Sequence, residues 1–331
     1  MEMTYRSEEL PRVGLDIVVL GVGGGGSNTV TNLYRRKVPA RLIAVDTDVN
    51  TLSVTKAHAL IQIGETVCRG RGTGGDIAKG RKAAEEDIDK VLEAVKRPDL
   101  LIAVCGLGGG TGSGALPYIV SELKKSLPDL VVGVIGDIPF KFEGLERIKN
   151  AQVGLKELLP VADFIVVNMN DMLLDKYGSL PVREAFRAVD LLVANAIESL
   201  LRCFDPKGSI KHVDFSDFVS AVKGSGLCMM GFGRHRMIRR ALENAIENRL
   251  LDADPSSAKG ALLLVQAPVG TSLKEAMDAL RALSEKYYVE RILWGLRTDP
   301  ELRESSVLLI ASGVRSKTIE DWIGEVELLQ R

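Results

Sequence analysis

Short apolar runs alternate with helical patterns over the first half of the chain. The runs predict six strands, which are Asp16–Leu20, Arg41–Val45, Leu60–Ile63, Leu100–Val104, Leu130–Ile135 and Phe164–Asn168. Between them lie helical stretches such as Gly80–Lys96 and Gly144–Leu159. Val, Ile and Leu at successive positions are typical of parallel strands that are covered on both faces. The order therefore predicts an α/β fold with a Rossmann-like, mostly parallel sheet that binds ligands at the carboxyl ends of its strands.

A long amphipathic helix is predicted next, from Pro181 to about Cys203. Proline suits a first helical position, because its φ is already helical and its missing N–H would have no partner there. Apolar residues recur every three or four positions and predict one buried stripe, made of Val182, Phe186, Val189, Val193, Ile197 and Leu200.

The residues after this helix predict a smaller α+β domain. Its predicted helices are Asp217–Lys223, Arg236–Asn248, Ser272–Glu285 and Thr318–Gln330, and its predicted strands are Ala261–Gln266, Tyr288–Leu296 and Ser306–Ser312. The chain therefore divides into residues 12–178, a central helix at 179–204 and a C-terminal part at 205–331.

The composition narrows the class of protein. The 43 basic and 44 acidic residues leave a formal charge of −1, so no overall field attracts nucleic acid or an anionic membrane. No run of about 18 apolar residues is present, although a membrane-spanning helix would need one. The four cysteines form no CxxC pair, which fits reduced thiols. We expect a cytoplasmic protein that binds no nucleic acid and does not insert into membranes.

Two glycine-rich loops each follow a predicted strand and lead into a helical pattern. They are Gly21–Asn28 and Gly106–Gly114. Glycine lets backbone amides approach an anion closely, and a helix N-terminus attracts negative charge. One such loop is common in proteins, but two in one α/β domain predict a polyphosphate held between two helix N-termini. The chain is therefore expected to bind a nucleotide.

The first loop taken alone favours an NAD-dependent oxidoreductase. Gly21, Gly23 and Gly26 have the spacing of the dinucleotide fingerprint. Asp46 ends the next predicted strand, where a ribose-binding carboxylate would lie. This alternative leaves the second glycine loop unexplained and offers no obvious His or Lys acid–base residue in the C-terminal part.

Several segments resemble the tubulin/FtsZ superfamily, and FtsZ in particular. Gly108–Gly114 is similar to the superfamily signature. Other FtsZ-like segments occur in family order on both sides of it. They are Gly70–Asp76 with Gly80–Ala84, Pro139–Gly144 with Arg147, Asn170–Leu174, Ala185–Asp190, Val213–Asp217, Trp294–Leu296 and Ile310–Gly313. The resemblance implies a cytoskeletal GTPase of cell division or cell shape, which polymerises head to tail with GTP and hydrolyses it to GDP at the junction between subunits. Its partner would be itself, and its cofactor Mg²⁺.

The resemblance also implies which residues hold the phosphates. Backbone amides would do so largely, those of Gly24, Gly25, Gly26, Gly109, Gly110 and Gly112, with a hydroxyl from Thr111. The loop containing Gly72 and Thr73 would close over the γ-phosphate. Glu143 and Arg147 would reach the ribose and phosphates, whereas the residues alone more often indicate a solvated i,i+4 ion pair.

Base recognition is expected from Asn28, Asn170, Phe186 and Asp190. Phe186 and Asp190 are four residues apart on the central helix, so they share a face. Phe186 can stack on a base, and Asp190 can accept hydrogen bonds from it. A carboxylate is satisfied by the ring N–H and amine of guanine but left unpaired by adenine, which favours GTP over ATP. An ordinary core aromatic is an equally good interpretation of Phe186 alone.

Asp214 and Asp217 are the expected catalytic residues. Their local pattern indicates an N-cap followed by a first-turn acid. The resemblance implies that both carboxylates meet the γ-phosphate of the next subunit and polarise the attacking water. Mg²⁺ would be carried mainly by the GTP phosphates and water rather than by protein ligands.

The sequence departs from the FtsZ pattern at three places. His212 and Asp46 stand where asparagine is usual, and imidazole titrates near neutral pH. The chain ends at Arg331 without the linker and tail that bind membrane adaptors, which suggests a shortened chain or a tail-less, archaeal branch. His212 also leaves open a partner-regulating protein that binds GTP but barely hydrolyses it.

Overall fold

A mixed sheet forms the centre of the computed structural model, which describes residues 14–172, 174, 178–204 and 209–329. Within these residues the sheet has 11 strands in the order β3-β2-β1-β4-β5-β6-β8-β11-β9-β10-β7. The strands are β1 Ile17–Val22, β2 Arg41–Asp46, β3 Ala59–Gln62, β4 Leu100–Gly106, β5 Val131–Ile138, β6 Phe164–Met169, β7 Ser209–Lys211, β8 Gly226–His235, β9 Gly260–Pro268, β10 Ile292–Asp299 and β11 Ser305–Ser312.

Helices cover both faces of this sheet. Among the described residues they are α1 Gly23–Arg35, α2 Val49–Val54, α3 Glu65–Cys68, α4 Ile77–Val95, α5 Leu116–Ser126, α6 Leu145–Leu158, α7 Val182–Cys203, α8 Phe215–Val222, α9 Ile238–Glu247, α10 Leu273–Tyr287 and α11 Lys317–Leu329. None of these helices is long and apolar enough to cross a bilayer.

The six predicted strands of the first half are confirmed as β1 to β6, with ends shifted by at most a few residues. All pair in parallel, and β1, β5 and β6 are buried along nearly their whole length. Burial on both faces explains why these strands show continuous apolar runs rather than alternation. The predicted α/β fold is therefore correct.

The second half contains two strands that the sequence pattern missed, β7 and β8. β8 has glycines at 231 and 233, and a Cβ at either position would collide with the backbone of α9. Because the helix packs so closely on this strand, glycine occupies positions where Val or Ile would normally indicate a strand. The predicted strand Tyr288–Leu296 also begins later, at Ile292, because α10 continues to Tyr287.

The two halves of the chain share one sheet. β6 and β8 pair in parallel over three residue pairs, from Phe164↔Gly226 to Val166↔Cys228. β8 then pairs with β11 in antiparallel orientation, and β11 pairs in the same way with β9. The division at residues 178 and 204 stays a prediction.

The long helix α7 packs against the face of the sheet that also carries α1. Leu192, Val193 and Ile197 are buried in that core. Pro181 precedes the helix as its N-cap residue, with φ −52° and ψ 138°, rather than occupying the first helical position. The side chains of Val182, Phe186 and Val189 lie outside the described part of the structure.

Candidate functional site

A cavity of about 690 Å³ opens at the carboxyl ends of β1, β4, β5 and β6. Small-molecule sites typically measure about 300–1,000 Å³. The cavity is lined by Val22, Gly24, Gly25, Asn28, Asp46, Asp48, Thr51, Thr73, Gly75, Gly106, Leu107, Gly109, Gly110, Thr111, Gly112, Asp137, Pro139, Glu143, Arg147, Asn170 and Asp190. The structure thus brings together most of the predicted binding residues, from five different connections of the chain and from α7.

Two helical N-termini face this cavity. α1 begins directly at Gly23, and a π-helical turn at Thr111–Ala115 leads into α5. No described side chain caps either start, so their first amides point outward without a side-chain partner. Such a pair of N-termini is suited to a polyphosphate.

The glycines of the two loops serve two different purposes. Gly24 and Gly109 line the cavity, and a Cβ at either would meet open space. Gly26 does not line it, because it packs so tightly on β4 that a Cβ would collide with the Val104 carbonyl. At Gly110 a Cβ would collide with Thr73. Tight packing therefore explains part of the glycine content, in addition to ligand approach.

Hydroxyl groups fix the second loop to its neighbours. The Oγ1 atoms of Thr111 and Thr47 lie 2.9 Å apart. The Ser113 hydroxyl accepts a hydrogen bond of 2.7 Å from the Gly108 amide. The first contact holds the π-helical turn against the end of β2, and the second closes the glycine loop on itself. Single π turns are frequent at functional sites.

The loop from Gly70 to Gly75 forms one wall of the cavity through Thr73 and Gly75. Its backbone is tied to the β2–α2 connection, since the Gly72 amide donates to the Thr47 carbonyl. Gly72 itself faces an adjoining recess rather than the cavity. Asn150 on α6 donates to the carbonyl of Gly75 at 2.7 Å and to that of Gly108 at 3.3 Å. Asn150 thus bridges this loop and the second glycine loop, a role that the sequence did not indicate.

Glu143 and Arg147 form the i,i+4 ion pair that their spacing predicts, and both also line the cavity. Glu143 additionally accepts a hydrogen bond of 2.9 Å from the Phe140 amide. The ion pair is therefore confirmed, and the contact of Glu143 and Arg147 with a ribose and phosphates stays a prediction.

Asn28, Asn170 and Asp190 line the cavity on the side of α1, β6 and α7. Burial raises the pKa of the Asp190 carboxyl. Asp137, at the end of β5, lies in the same region and was missed by the sequence interpretation. Its pKa is raised to about 6 by burial and by the nearby charge of Asp190, although a hydrogen bond from Asn168 opposes the shift. No local motif marks it, because its position depends on strand register.

Asp46 ends β2 as predicted, and its carboxylate is used locally. Oδ1 accepts from the amides of Thr47 at 2.7 Å and Asp48 at 3.2 Å. Burial raises the pKa of this carboxyl. Asp48 in turn caps α2 by accepting from the Asn50 amide.

Asp214 and Asp217 do not line the cavity. Asp214 is the N-cap residue of α8, and Asp217 lies in its first turn, as predicted. The expected capping hydrogen bond is absent among the described residues, because the carboxylate turns instead to His212, whose Nε2 lies 2.9 Å from Oδ1. Both side chains of this pair are more than half exposed. Asp217 lines a separate recess together with Lys259 and Arg291.

Two family models match the chain. The model of the tubulin/FtsZ family GTPase domain matches residues 16–178. The model of the FtsZ family C-terminal domain matches residues 226–315.

Curated relatives include archaeal cell division proteins. Cell division protein FtsZ 1 of Pyrococcus abyssi is 37% identical over 309 residues, covering 92% of this chain and 82% of the relative. FtsZ 1 of Methanocaldococcus jannaschii is 36% identical over 316 residues, covering 94% of this chain and 86% of the relative.

Solved structures are similar over nearly the whole chain. An empty FtsZ dimer of M. jannaschii superposes with a TM-score of 0.83 at 34% identity, covering 90% of this chain and 88% of that one. A GDP-bound CetZ1 monomer of Haloferax volcanii reaches 0.84 at 23% identity over 96% of this chain and 100% of that one, which shows the shared fold alone. None of these comparisons supports an oxidoreductase.

Proposed function

Because the chain belongs to the tubulin/FtsZ family of GTPases, we propose that it binds GTP in the cavity and polymerises head to tail. One observation carries the proposal of an assembly-dependent enzyme. The acidic pair Asp214 and Asp217 lies outside the cavity that would hold the nucleotide. A single protomer would therefore hold GTP without its catalytic carboxylates. The cell division role named for the relatives is proposed for this chain as well, acting in the cytoplasm.

The phosphates would lie between the two uncapped helical N-termini. Amides of Gly24, Gly25 and Gly109–Gly112 are the proposed donors, since their positive ends favour the anion. Thr73 would contact the γ-phosphate from the loop that Asn150 holds in place. The presence or absence of that phosphate would then decide how firmly the loop is ordered.

Guanine would be recognised at the opposite end of the cavity. The ionised carboxylate of Asp190 can accept from the ring N–H and the amine of guanine, and Asn28 and Asn170 can complete the contacts. Adenine offers an acceptor where guanine offers the ring N–H, so it would leave Asp190 unpaired. Phe186 is proposed to stack on the base.

Mg²⁺ is the proposed companion of the triphosphate. Asp48 and Thr51 line the cavity, and side-chain oxygens of this kind suit this ion, which keeps several water ligands. The ion would neutralise charge between the β- and γ-phosphates. Asp48 and Thr51 would hold its hydration shell.

Asp214 and Asp217 of one protomer would orient and polarise the water that attacks the γ-phosphate of the next. In the tautomer that carries its proton on Nε2, His212 donates to the Asp214 carboxylate at 2.9 Å, so it helps to fix where that carboxylate points. A contact between unlike surfaces generates open filaments rather than closed rings of two.

Mixing two inactive variants tests this arrangement. Asp214→Ala keeps the cavity intact, and Arg147→Ala keeps the acidic loop intact. Each alone is expected to lose most GTPase activity, whereas a 1:1 mixture should recover about a quarter of the junctions in a randomly mixed filament. A mixture of Asp214→Ala with Asp217→Ala is the control and should stay inactive.

The proposal fails if the productive mixture shows no recovery while each variant still copolymerises with wild-type protein. Competition among GTP, ATP and NAD for the cavity provides a separate check. Binding of NAD in preference to GTP would revive the oxidoreductase alternative. GTP binding and assembly without phosphate release would instead favour a partner-regulating protein.

A further inference from the structure

Asp137 is a carboxylate in the cavity that the proposed function has not used. It is the last residue but one of β5, in register with Gly106 of β4 on one side and Asn168 of β6 on the other. Its backbone carbonyl accepts a hydrogen bond of 2.8 Å from the Leu107 amide. The residue therefore lies on the cavity floor, between the second glycine loop and β6.

Strand geometry gives the direction of its side chain. Side chains two residues apart on a strand lie on the same face. Ile135, two residues earlier, is buried in the core that α1 and α7 form with the sheet. Asp137 therefore lies on the face that also carries Asn28 and Asp190, and the charge of Asp190 acts on it. This is the nucleoside end of the cavity, away from the phosphate-binding amides.

The Asp137 carboxylate can pair only with a ligand group that donates a hydrogen bond. Asn168 Nδ2 donates to Oδ1 at 2.8 Å, and Oδ2 accepts no hydrogen bond from any described residue. A nucleotide that displaces water from this oxygen must supply a donor of its own, because an acceptor left unpaired in the covered site is costly. A phosphate would repel it, so its partner must be a hydrogen-bond donor of the nucleoside.

The ribose is the available source of such a donor. The guanine ring N–H and one amine hydrogen are assigned to Asp190. The carboxylate of Glu143 is already engaged by Arg147 and by the Phe140 amide, so it can serve at most part of the ribose. A ribose presents two hydroxyls, and one of them remains for Asp137.

We propose that Asp137 accepts a hydrogen bond from a ribose hydroxyl of the bound nucleotide and thereby makes the site selective for ribonucleotides. This inference rests on the proposed binding of GTP in the same cavity. Removal of the hydroxyl would leave the carboxylate buried and unpaired. Discrimination against the deoxy analogue should then be about tenfold or more, as expected for a hydrogen bond to a charged group.

The proposal is tested with dissociation constants for four nucleotides, measured on wild-type protein and on Asp137→Ala, which removes the acceptor; Asn would keep one in its amide oxygen. The nucleotides are GTP, 2′-deoxyGTP, 3′-deoxyGTP and inosine triphosphate, which lacks the base amine. Wild-type protein should bind at least one deoxy analogue about tenfold or more weakly than GTP. In Asp137→Ala that ratio should shrink to within about twofold, while the ratio of inosine triphosphate to GTP stays unchanged.

Asp190→Asn is the matched control, because it changes the other carboxylate of the pair. It should alter the inosine ratio and leave the deoxy ratio as in wild type. Circular dichroism confirms that each variant is folded, and Asp137→Leu, which also lacks an acceptor, replaces Asp137→Ala if the latter does not fold.

Two results would overturn the inference: equal wild-type affinities for GTP and both deoxy analogues, or unchanged deoxy discrimination in the folded Asp137 variant. A change confined to the inosine ratio would place Asp137 on the base amine and reject the ribose contact. The proposed function itself is tested separately, by comparing the affinities for GTP and ATP. A wild-type protein that does not prefer GTP over ATP would reject the proposed function.

Discussion

At the scale of single residues, the glycines of the two loops separate into two groups. Some, such as Gly24, open toward the cavity. Others, such as Gly114, pack so closely that a Cβ would collide with the Ile77 carbonyl of α4. A substitution by alanine therefore has a different consequence in each group, although the local sequence is equally rich in glycine.

Gly24→Ala and Gly114→Ala form a pair that tests this division. Gly24→Ala should leave the thermal midpoint near that of wild type, but obstruct the phosphates and weaken GTP binding by about tenfold or more. Gly114→Ala should lower the free energy of unfolding by about 1–3 kcal/mol through overpacking. Thermal unfolding without nucleotide and GTP titration measure the two effects. Equal stability losses in both variants would contradict the division.

The contact between His212 and Asp214 belongs to the same scale. The ring of His212 lies 2.9 Å from the Asp214 carboxylate and helps to orient it. His212→Ala should keep GTP affinity and assembly but lower kcat, because the carboxylate loses this partner. Phosphate release at saturating GTP measures this. A kcat identical to that of wild type would remove His212 from the mechanism.

Asp137 makes the stability of the nucleotide-free protein depend on pH. Its folded-state pKa of about 6 lies above the value of 3.8 for an exposed carboxyl, so the folded state binds the extra proton between these pH values. The stabilisation from this group is present below about pH 4 and is lost as pH rises through about 6.

Asp137→Asn should therefore stabilise the nucleotide-free protein at pH 7.5 by about 1–3 kcal/mol, and the gain should shrink toward pH 4. Urea unfolding at several pH values measures the difference. Asp16→Asn, at a partly exposed ion pair with Arg41, is the control and should show no such gain at pH 7.5. A constant difference for Asp137→Asn at all pH values would exclude the titration as its cause.

At the scale of elements, buried parallel strands were the part of the fold most accessible to prediction. Continuous Val, Ile and Leu runs identified β1 to β6, because both faces of those strands are covered. β8 was not predicted, because its glycines make room for α9, and the need for that room follows only from the position of the helix. Asp137 and Asn150 were not predicted for a similar reason, because strand register brings Asp137 to the cavity and helix packing brings Asn150 to the loops beside it. The glycine loops were recognisable because their pattern is local. Asp190 was reached through the family resemblance, and its contact with guanine stays a prediction.

The bridge made by Asn150 links two loops of the site. Asn150→Ala removes the donors to Gly75 and Gly108, so the loop over the γ-phosphate should be held less firmly. GTP affinity should fall several-fold, by roughly the 0.5–1.5 kcal/mol of an ordinary hydrogen bond, while GDP affinity changes little. Asn150→Asp keeps the shape but places a carboxylate against the two carbonyl oxygens, so its loss of GTP affinity should be at least as large as that of Asn150→Ala. Equal losses for both nucleotides would show that the bridge does not report on the γ-phosphate.

At the scale of the whole molecule, the proposed site is split between two surfaces of the chain. Activity per molecule should therefore rise with protein concentration above a threshold, since junctions exist only in assemblies. GTPase rates over a dilution series, with light scattering on the same samples, measure this. Constant activity per molecule on dilution would show that one protomer suffices.

The separation of the cavity from Asp214 also makes the two ends of a filament chemically unequal. One terminal protomer would present an open pocket whose nucleotide no neighbour can cleave, and the other would present carboxylates with nothing to act on. A filament of n protomers would then contain n − 1 working junctions, so the shortest filaments would hydrolyse GTP most slowly per subunit. Growth and loss at the two tips would accordingly follow different rate laws.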